Sequence, residues 1–530
     1  MGQTVRMAEM PTGTTDAPER AMEAADAVVV GGGHNGLITA AYLQRAGMRT
    51  VVVEARETVG GTASSERFAG ATVNICSCDH ITFRATPIGE ELDLAAHGLE
   101  YLDVEPGQHQ SSWATPEVPP WAHHGDVDAT LEALGAVLPT EVEGYRRYAA
   151  AAIPAARLIL AAAQHPPSFG ELAKVAARRR FSGLRHVVSW SRRSAADILR
   201  SYFQSDAVRA PTAMSGPMVW GVSPEFPGTG LGALTMAMRH VAPVGRPRGG
   251  SGALPQSVLG AFRAAGGVLS AGTPVASIDC EAGRVRGVTL GDGRQIAAPV
   301  VVSACDPQRT LLRFLRGAPP AAEPMLHRWR AKGGDHGYES KIDAVLDRPP
   351  TLRGTDVPLG PTLVIAPALA DADRGYHLMK RGEILHHPGL LVNVPSALDP
   401  SMAPEGRHVL SLEVLFTPYA FRGGWGDLRE PERWLHLFAD RCEPGLLDSI
   451  VDWRAMTPDV YERDFHLPNG HAASFSGGPL AALRNDDPEL TDYETAVPGL
   501  YLTGAATFPG AGIWGAAGRN CATVVLARHG

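Results

Sequence analysis

Asp26-Ala27-Val28-Val29-Val30-Gly31-Gly32-Gly33-His34-Asn35-Gly36 opens with an apolar run too short for a helix and closes on spaced glycines. A Val-rich run of this length is the pattern of a strand buried on both faces of a parallel sheet. From His34 the spacing turns helical as far as about Ala46, and Gly47 ends it. Arg49-Thr50-Val51-Val52-Val53-Glu54 reads as a second buried strand. Strand, glycine turn, helix and strand form a complete βαβ opening. The fold class expected is therefore α/β, with a Rossmann-like domain.

A glycine triplet alone is weak evidence in a chain with 59 glycines. Here it follows a strand and opens a helix, and Glu54 ends the next strand about twenty residues on. Each residue type has a reason. Gly31 makes the tight turn, Gly33 lets the backbone approach a pyrophosphate, and Gly36 permits close helix–strand packing. His34 and Asn35 begin the helix, whose unpaired N–H groups and positive dipole end suit an anion. Glu54 is placed to accept from ribose hydroxyls and to repel a 2′-phosphate. A second G-x-G-x-x-G, Gly510 to Gly515, lies in the tail, but no strand ending in an acidic residue follows it, so a second βαβ fingerprint for NADPH is not expected and a two-nucleotide reductase is disfavoured.

Composition narrows the classes further. The 530 residues are 44% hydrophobic with a net charge of −8, ample for a large core and lacking the basic footprint of a nucleic-acid binder. Six scattered cysteines do not make a disulfide scaffold, and Cys76-x-Cys78 without a second pair is a poor zinc site. His123-His124 and His386-His387 lack spaced carboxylates or thiols, so no metal is expected. The reading is a reduced, cytoplasmic enzyme. Only four basic residues are lysines, a bias that suggests a GC-rich bacterial genome.

Further along, residues 1–25 read as a disordered lead without a targeting signal. Residues 126–238 are mostly helical and alanine-rich. Within them, 174–200 carries eight basic residues against the single acid Asp197, interleaved with Phe181, Leu184, Val187, Val188 and Trp190. This is either a solvated helical face or a patch that touches anionic lipid headgroups. Strands are expected at 273–279, 284–290, 294–297, 299–303 and 499–503, with a closing helix from about Arg519. Cofactor-type sequence thus occurs at both ends and in the middle. The partition expected is 26–90, 245–310 and 490–530 for the dinucleotide-binding domain, and 91–244 and 311–489 for a mixed-sheet and helical substrate domain.

Three blocks carry a family resemblance. Glu54-Ala55-Arg56-Glu-Thr-Val-Gly60-Gly61-Thr62-Ala-Ser64 extends the glycine fingerprint, and at this point the chain resembles the FAD-binding amine oxidase and phytoene desaturase superfamily. The tail, Gly499 through Gly504, Gly510, Gly512-Ile513-Trp514 and Gly518, is similar to the segment that crosses the isoalloxazine end of FAD in that superfamily. The middle, Pro247-Arg-Gly249-Gly250-Ser-Gly252 with Val275 through Asp306-Pro307, is similar to the phytoene-desaturase-related oxidoreductases. There the residue matching Val275 meets adenine through its backbone. The resemblance implies FAD, held by both ends of the chain.

It also nominates catalytic residues. Lys341, in a strand-like stretch before a turn, matches a lysine that holds water at flavin N5 in the amine oxidases. An exposed strand lysine is the bland alternative. His471, in Leu467-Pro468-Asn469-Gly470-His471-Ala-Ala-Ser474, resembles a segment of the relatives that approaches the active site, stands where they often carry asparagine, and is a candidate base. His80 follows the first flavin block and is the third candidate. Ile513 departs from the family's aromatic amine cage, which makes simple primary amines less expected. Trp514 either touches the flavin by its backbone or is core. Together these imply an FAD-dependent dehydrogenase or desaturase that takes hydride from a C–H of a largely apolar small molecule, reoxidised by oxygen or a quinone. Redox-neutral double-bond isomerisation, amine oxidation and a catalytically inactive binding protein are the alternatives.

Overall fold

The computed structural model describes residues 24–76, 79–334, 336–354, 359–471, 479–483 and 486–530. The first strand, β1 (Ala27–Val30), and the second, β2 (Thr50–Val53), pair in parallel, with α1 (His34–Arg45) between them. Every residue of both strands is buried. Their side chains divide between two cores. Ala27, Val29 and Val52 face α1 and the helices Ala253–Ala264 and Ala516–His529, while Val28, Val30, Val51 and Val53 face the opposite side. That explains a valine run without alternation: both faces are covered.

Five parallel strands form this sheet, in the order 500–502, 300–303, β1, β2, 268–270. The chain winds outward from β1 through β2 to 268–270, then returns to the other side of β1. Strand order therefore reverses between β1 and 300–303, and at such a switch point a crevice opens at the carboxyl ends of the strands. The second core is roofed by a smaller sheet of Val275–Glu281, Arg284–Leu290, Gln295–Ala297 and Leu315–Arg316.

Two element boundaries differ from expectation. The strand expected at 273–279 runs Val275–Glu281, because Pro274 has no N–H for the ladder. The closing helix begins at Ala516 rather than Arg519, directly after Gly515 in the left-handed region (φ 72°). This helix crosses α1 so closely that a Cβ on Gly518 would lie 2.4 Å from the Asn35 carbonyl oxygen. Thr39 Oγ1 donates to both the Asn35 and Gly518 carbonyls at 3.0 Å, which fixes the crossing.

A seven-stranded mixed sheet stands apart, ordered 450–456, 339–346, 408–415, 390–393, 362–366, 108–112, 121–123. One face buries Ile342, Ala344, Leu410, Leu412 and Trp434. The other face lays Val345 and Val409 on Ala71 and Val73, in the hairpin that follows the second glycine pair. Helices between 127 and 238 form a layer around Tyr145, Tyr148, Trp190 and Phe203. This is the α/β class expected, with a mixed sheet and a helical layer beside the parallel sheet. Among the described residues no helix is long and apolar enough to cross a membrane.

Candidate active site

A cavity of about 320 Å³ opens where four parallel strands end: Gly31 follows β1, Glu54 follows β2, Ala304 follows 300–303 and Gly504 follows 500–502. Of the residues singled out in the sequence, Gly31, Gly33, His34, Asn35, Gly36, Glu54, Ala55, Arg56, Gly60, Gly61, Thr62, Val275, Gly504 and His471 wall it. Segments hundreds of residues apart meet here because the strands that carry them are sheet neighbours.

The glycines divide by what a side chain would meet. A Cβ at Gly36 would lie 2.2 Å from the Gly31 carbonyl oxygen, so this glycine lets α1 seat on β1. Gly31 itself has φ +100°, a conformation that disfavours any Cβ. At Gly33 a Cβ would meet nothing within 4 Å, and it would project into the cavity mouth. Gly33 also caps α1 without a side-chain acceptor, and the first turn holds no acidic residue. The first intrahelical bond is Leu37 N–H to the Gly33 carbonyl, so the N–H groups before Leu37 are left for another acceptor. Open space, spare donors and an uncompensated helix dipole fit the pyrophosphate of a dinucleotide.

Glu54 is 8% exposed, and its carboxylate accepts the Gly32 N–H at 2.7 Å and the Arg56 N–H at 2.9 Å. A carboxylate has about four acceptor sites, so two remain for hydroxyl donors. The Arg56 guanidinium lies 4.2 Å over the Phe465 ring and pairs with Glu66 at 2.6 Å, which makes one firm wall. Burial pulls the His34 imidazole down to about 4, with a hydrogen bond to the Gly512 backbone opposing the shift. The ring is neutral at physiological pH and brings no cation to the helix end.

Of the remaining candidates, His471 lies on the cavity wall, and His80, Lys341, Gly512, Ile513 and Trp514 lie off it. His471 sits on the cavity wall beside Tyr338, with ring centroids 5.6 Å apart, while 472–474 of its motif fall outside the described residues, as do Cys78 and residues 1–23. His80 is fully buried off the cavity, with Nδ1 at 2.9 Å from the Tyr101 hydroxyl and Nε2 at 2.9 Å from Ser251 Oγ. Desolvation lowers it to about 3, so it is a neutral link that braces the middle glycine block rather than a free base. Ile513 is 5% exposed and packs in the core with Phe83 and Ile88, and only its carbonyl is used, by Thr82. Gly512 and Trp514 flank it without walling the cavity.

Lys341 is not an exposed strand lysine. It is 2% exposed and donates to the Asn74 carbonyl and to Asp343, which is fully buried. Asp343 pairs with Arg454 at 3.2 Å, Arg454 with Glu66 at 3.2 Å, and Glu66 with Arg56. A chain of charges thus runs from the seven-stranded sheet to the cavity wall. Directly across the ladder from Lys341 stands Glu413, with Glu339 one turn of the pleat away on the same face. Burial raises both carboxyls, Glu339 to about 7 and Glu413 to about 8, and the Lys341 charge only partly offsets this.

Several wall residues had no separate mark in the sequence. Ala304, Cys305, Asp306 and Arg309 follow the strand 300–303, and the rule that sites gather at carboxyl ends of parallel strands points to them. Asp306 accepts the Arg309 N–H at 2.8 Å and is raised above the usual carboxyl range by burial. Phe465 comes from a helix end far along the chain and no local pattern announces it, while Leu467 opens the His471 motif.

Comparison with known proteins agrees with this geometry. The family model described as flavin containing amine oxidoreductase matches residues 36–332. The mouse pyridine nucleotide-disulfide oxidoreductase domain-containing protein 2 is 29% identical, over 94% of this chain and 93% of its own. A lycopene-forming phytoene desaturase of Pantoea ananas is 27% identical over 94% and 98%, and a limonene dehydrogenase component of Castellaniella defragrans 25% over 94% and 94%. Among solved structures, putrescine oxidase bound to putrescine superposes with a TM-score of 0.62 at 18% identity, over 95% of this chain and 99% of that one, which shows the shared fold. The chain belongs to the flavin containing amine oxidoreductase family, within the amine oxidase and phytoene desaturase superfamily, and is an FAD-dependent oxidoreductase.

Proposed function

We propose that the protein desaturates a largely apolar small molecule, with oxygen or a quinone as the final electron acceptor. The observation that carries this reading is the apolar residue at the aromatic cage position. The aromatic cage position is Ile513, buried in the core, so nothing there orients a simple amine. Relatives spanning nearly the whole chain are named for limonene and phytoene, both hydrocarbons.

In this reading the N–H groups at the start of α1 hold the FAD pyrophosphate, Glu54 takes the ribose hydroxyls, and the Val275 backbone meets adenine. Bound FAD supplies a two-electron acceptor for hydride from a substrate C–H. Forming a double bond also releases a proton from the neighbouring carbon. His471, which lies on the cavity wall, is the group we assign to receive that proton. His471 closes the cavity wall on the side of the seven-stranded sheet.

Anaerobic mixing with terpenoid hydrocarbons tests the reading: bleaching of the flavin band by one of them, with a double bond gained in the product, is expected. Absence of bleaching across such a panel together with bleaching by amines would overturn it. A redox-neutral isomerase is the second reading, favoured by prolycopene isomerases 24% identical over 95% of this chain. It predicts turnover only after the flavin has been reduced, with no net change in double bonds.

A further inference from the structure

The basic helical segment takes no part in the chemistry above. Helix Phe169–Arg178 turns Val175 and Ala176 into the helical core and leaves Phe169, Ala173 and Ala177 on one outward stripe at four-residue spacing. Lys174 and Arg178 flank the stripe, and Arg179 and Arg180 follow it, all exposed. Phe169 is 78% exposed at one end of the helix and Phe181 60% exposed just past the other.

This exposure is built into the backbone. Arg180 and Phe181 are consecutive left-handed residues, φ 51° and 57°, a costly conformation away from glycine. The Phe181 N–H is tied to the Ala176 carbonyl at 2.8 Å. Gly183 then presses on the long helix Val142–Ala162, where a Cβ would lie 2.4 Å from the Pro154 carbonyl oxygen. The turn is clamped from behind and thrusts its ring outward.

Charge points to the occupant. Lys174 pairs with Glu171 and Arg200 with Glu225, yet Arg178, Arg179, Arg180, Arg185 and Arg192 form no ion pair with any described residue. The chain as a whole carries −8, so this is a local positive island. An apolar stripe with an aromatic ring at each end, bordered by unpaired guanidiniums, is the layout of a helix lying in a membrane interface. A second copy would present the same charge and be repelled.

We propose that this face docks on an anionic lipid bilayer, the guanidiniums on lipid phosphates and the two phenylalanine rings at the acyl boundary. Co-sedimentation of the FAD-loaded full chain with phosphatidylcholine vesicles, with and without phosphatidylglycerol, tests it. Binding is expected only with the anionic lipid, falling roughly fivefold for each charge removed, as in Arg179→Gln and Arg180→Gln. Phe169→Ser with Phe181→Ser should lower it about tenfold or more, with the flavin spectrum and melting temperature unchanged. If that pair misfolds, the exposed Arg179→Gln alone decides. Equal binding to both vesicle types, or none, would overturn the proposal. So would tighter binding to single-stranded DNA than to vesicles, or a dimer in sedimentation equilibrium that the phenylalanine variants dissociate.

Discussion

At the scale of single residues, two side-chain types decide most of the account: glycines that need no Cβ and histidines that need no proton. Gly36→Ala sets a methyl against the Gly31 carbonyl oxygen, which is backbone and cannot swing away. It is expected to cost on the order of 3 kcal/mol through displacement of α1, read as a lowered urea midpoint of the apoprotein. A wild-type midpoint would mean that α1 is not seated as described. His80 is the second case. Its folded value, about 3, lies below the unfolded value of 6.5, so the stability it contributes is present above 6.5 and lost as pH falls through that window. Between pH 6.5 and 5 this loss amounts to about 2 kcal/mol. His80→Gln keeps a donor and an acceptor and should flatten that slope in urea titrations, whereas an unchanged slope would assign the acid sensitivity to other groups.

At the scale of the element, the strand Glu339–Leu346 shows where sequence reading runs out. The alternation of Lys341, Asp343 and Val345 on one face was legible from period alone. What that face meets was not. The Asn74 carbonyl and Arg454 come from segments far away in the chain, and together with Asp343 they turn an apparently exposed lysine into part of a buried charge chain. Lys341→Met leaves Asp343 short of one partner inside the protein and is expected to cost about 3 kcal/mol in thermal or urea unfolding. Lys341→Met with Asp343→Asn should cost less than the sum of the single changes, and strict additivity would show that the two do not interact. The same strand and its neighbour carry Glu339 and Glu413, whose folded values exceed the ordinary carboxyl value of 4.5. Their contribution is full below 4.5 and lost as pH rises through about 7 to 8, opposite in sign to that of His80. Glu413→Gln should therefore flatten the decline in stability between pH 5 and 8, read in urea titrations. An unchanged slope would assign that decline to other groups.

At the scale of the molecule, β1, β2 and 300–303 were legible as valine runs buried on both faces and 500–502 as a short apolar run, whereas the partly exposed edge strand 268–270 was not expected. Three of the cavity's four strand ends, Gly31, Glu54 and Gly504, were identified from motifs, and the fourth, Ala304, follows from the topology that brings 300–303 beside β1. The far wall was legible only in part: the motif from Leu467 to His471 pointed to it, whereas Phe465 reaches the cavity only through tertiary packing. Neither was the burial of Ile513 and His80, because a motif records chain position and not which way a side chain turns. The claim on which the rest depends is that FAD lies across the open backbone of Gly33, and the most direct test is the FAD affinity of Gly33→Val measured by flavin fluorescence on the apoprotein. The account predicts a loss of about 100-fold or more, with circular dichroism and the apoprotein melting temperature unchanged, since nothing lies within 4 Å of the added Cβ. Wild-type affinity in that variant would place the dinucleotide elsewhere and contradict the account.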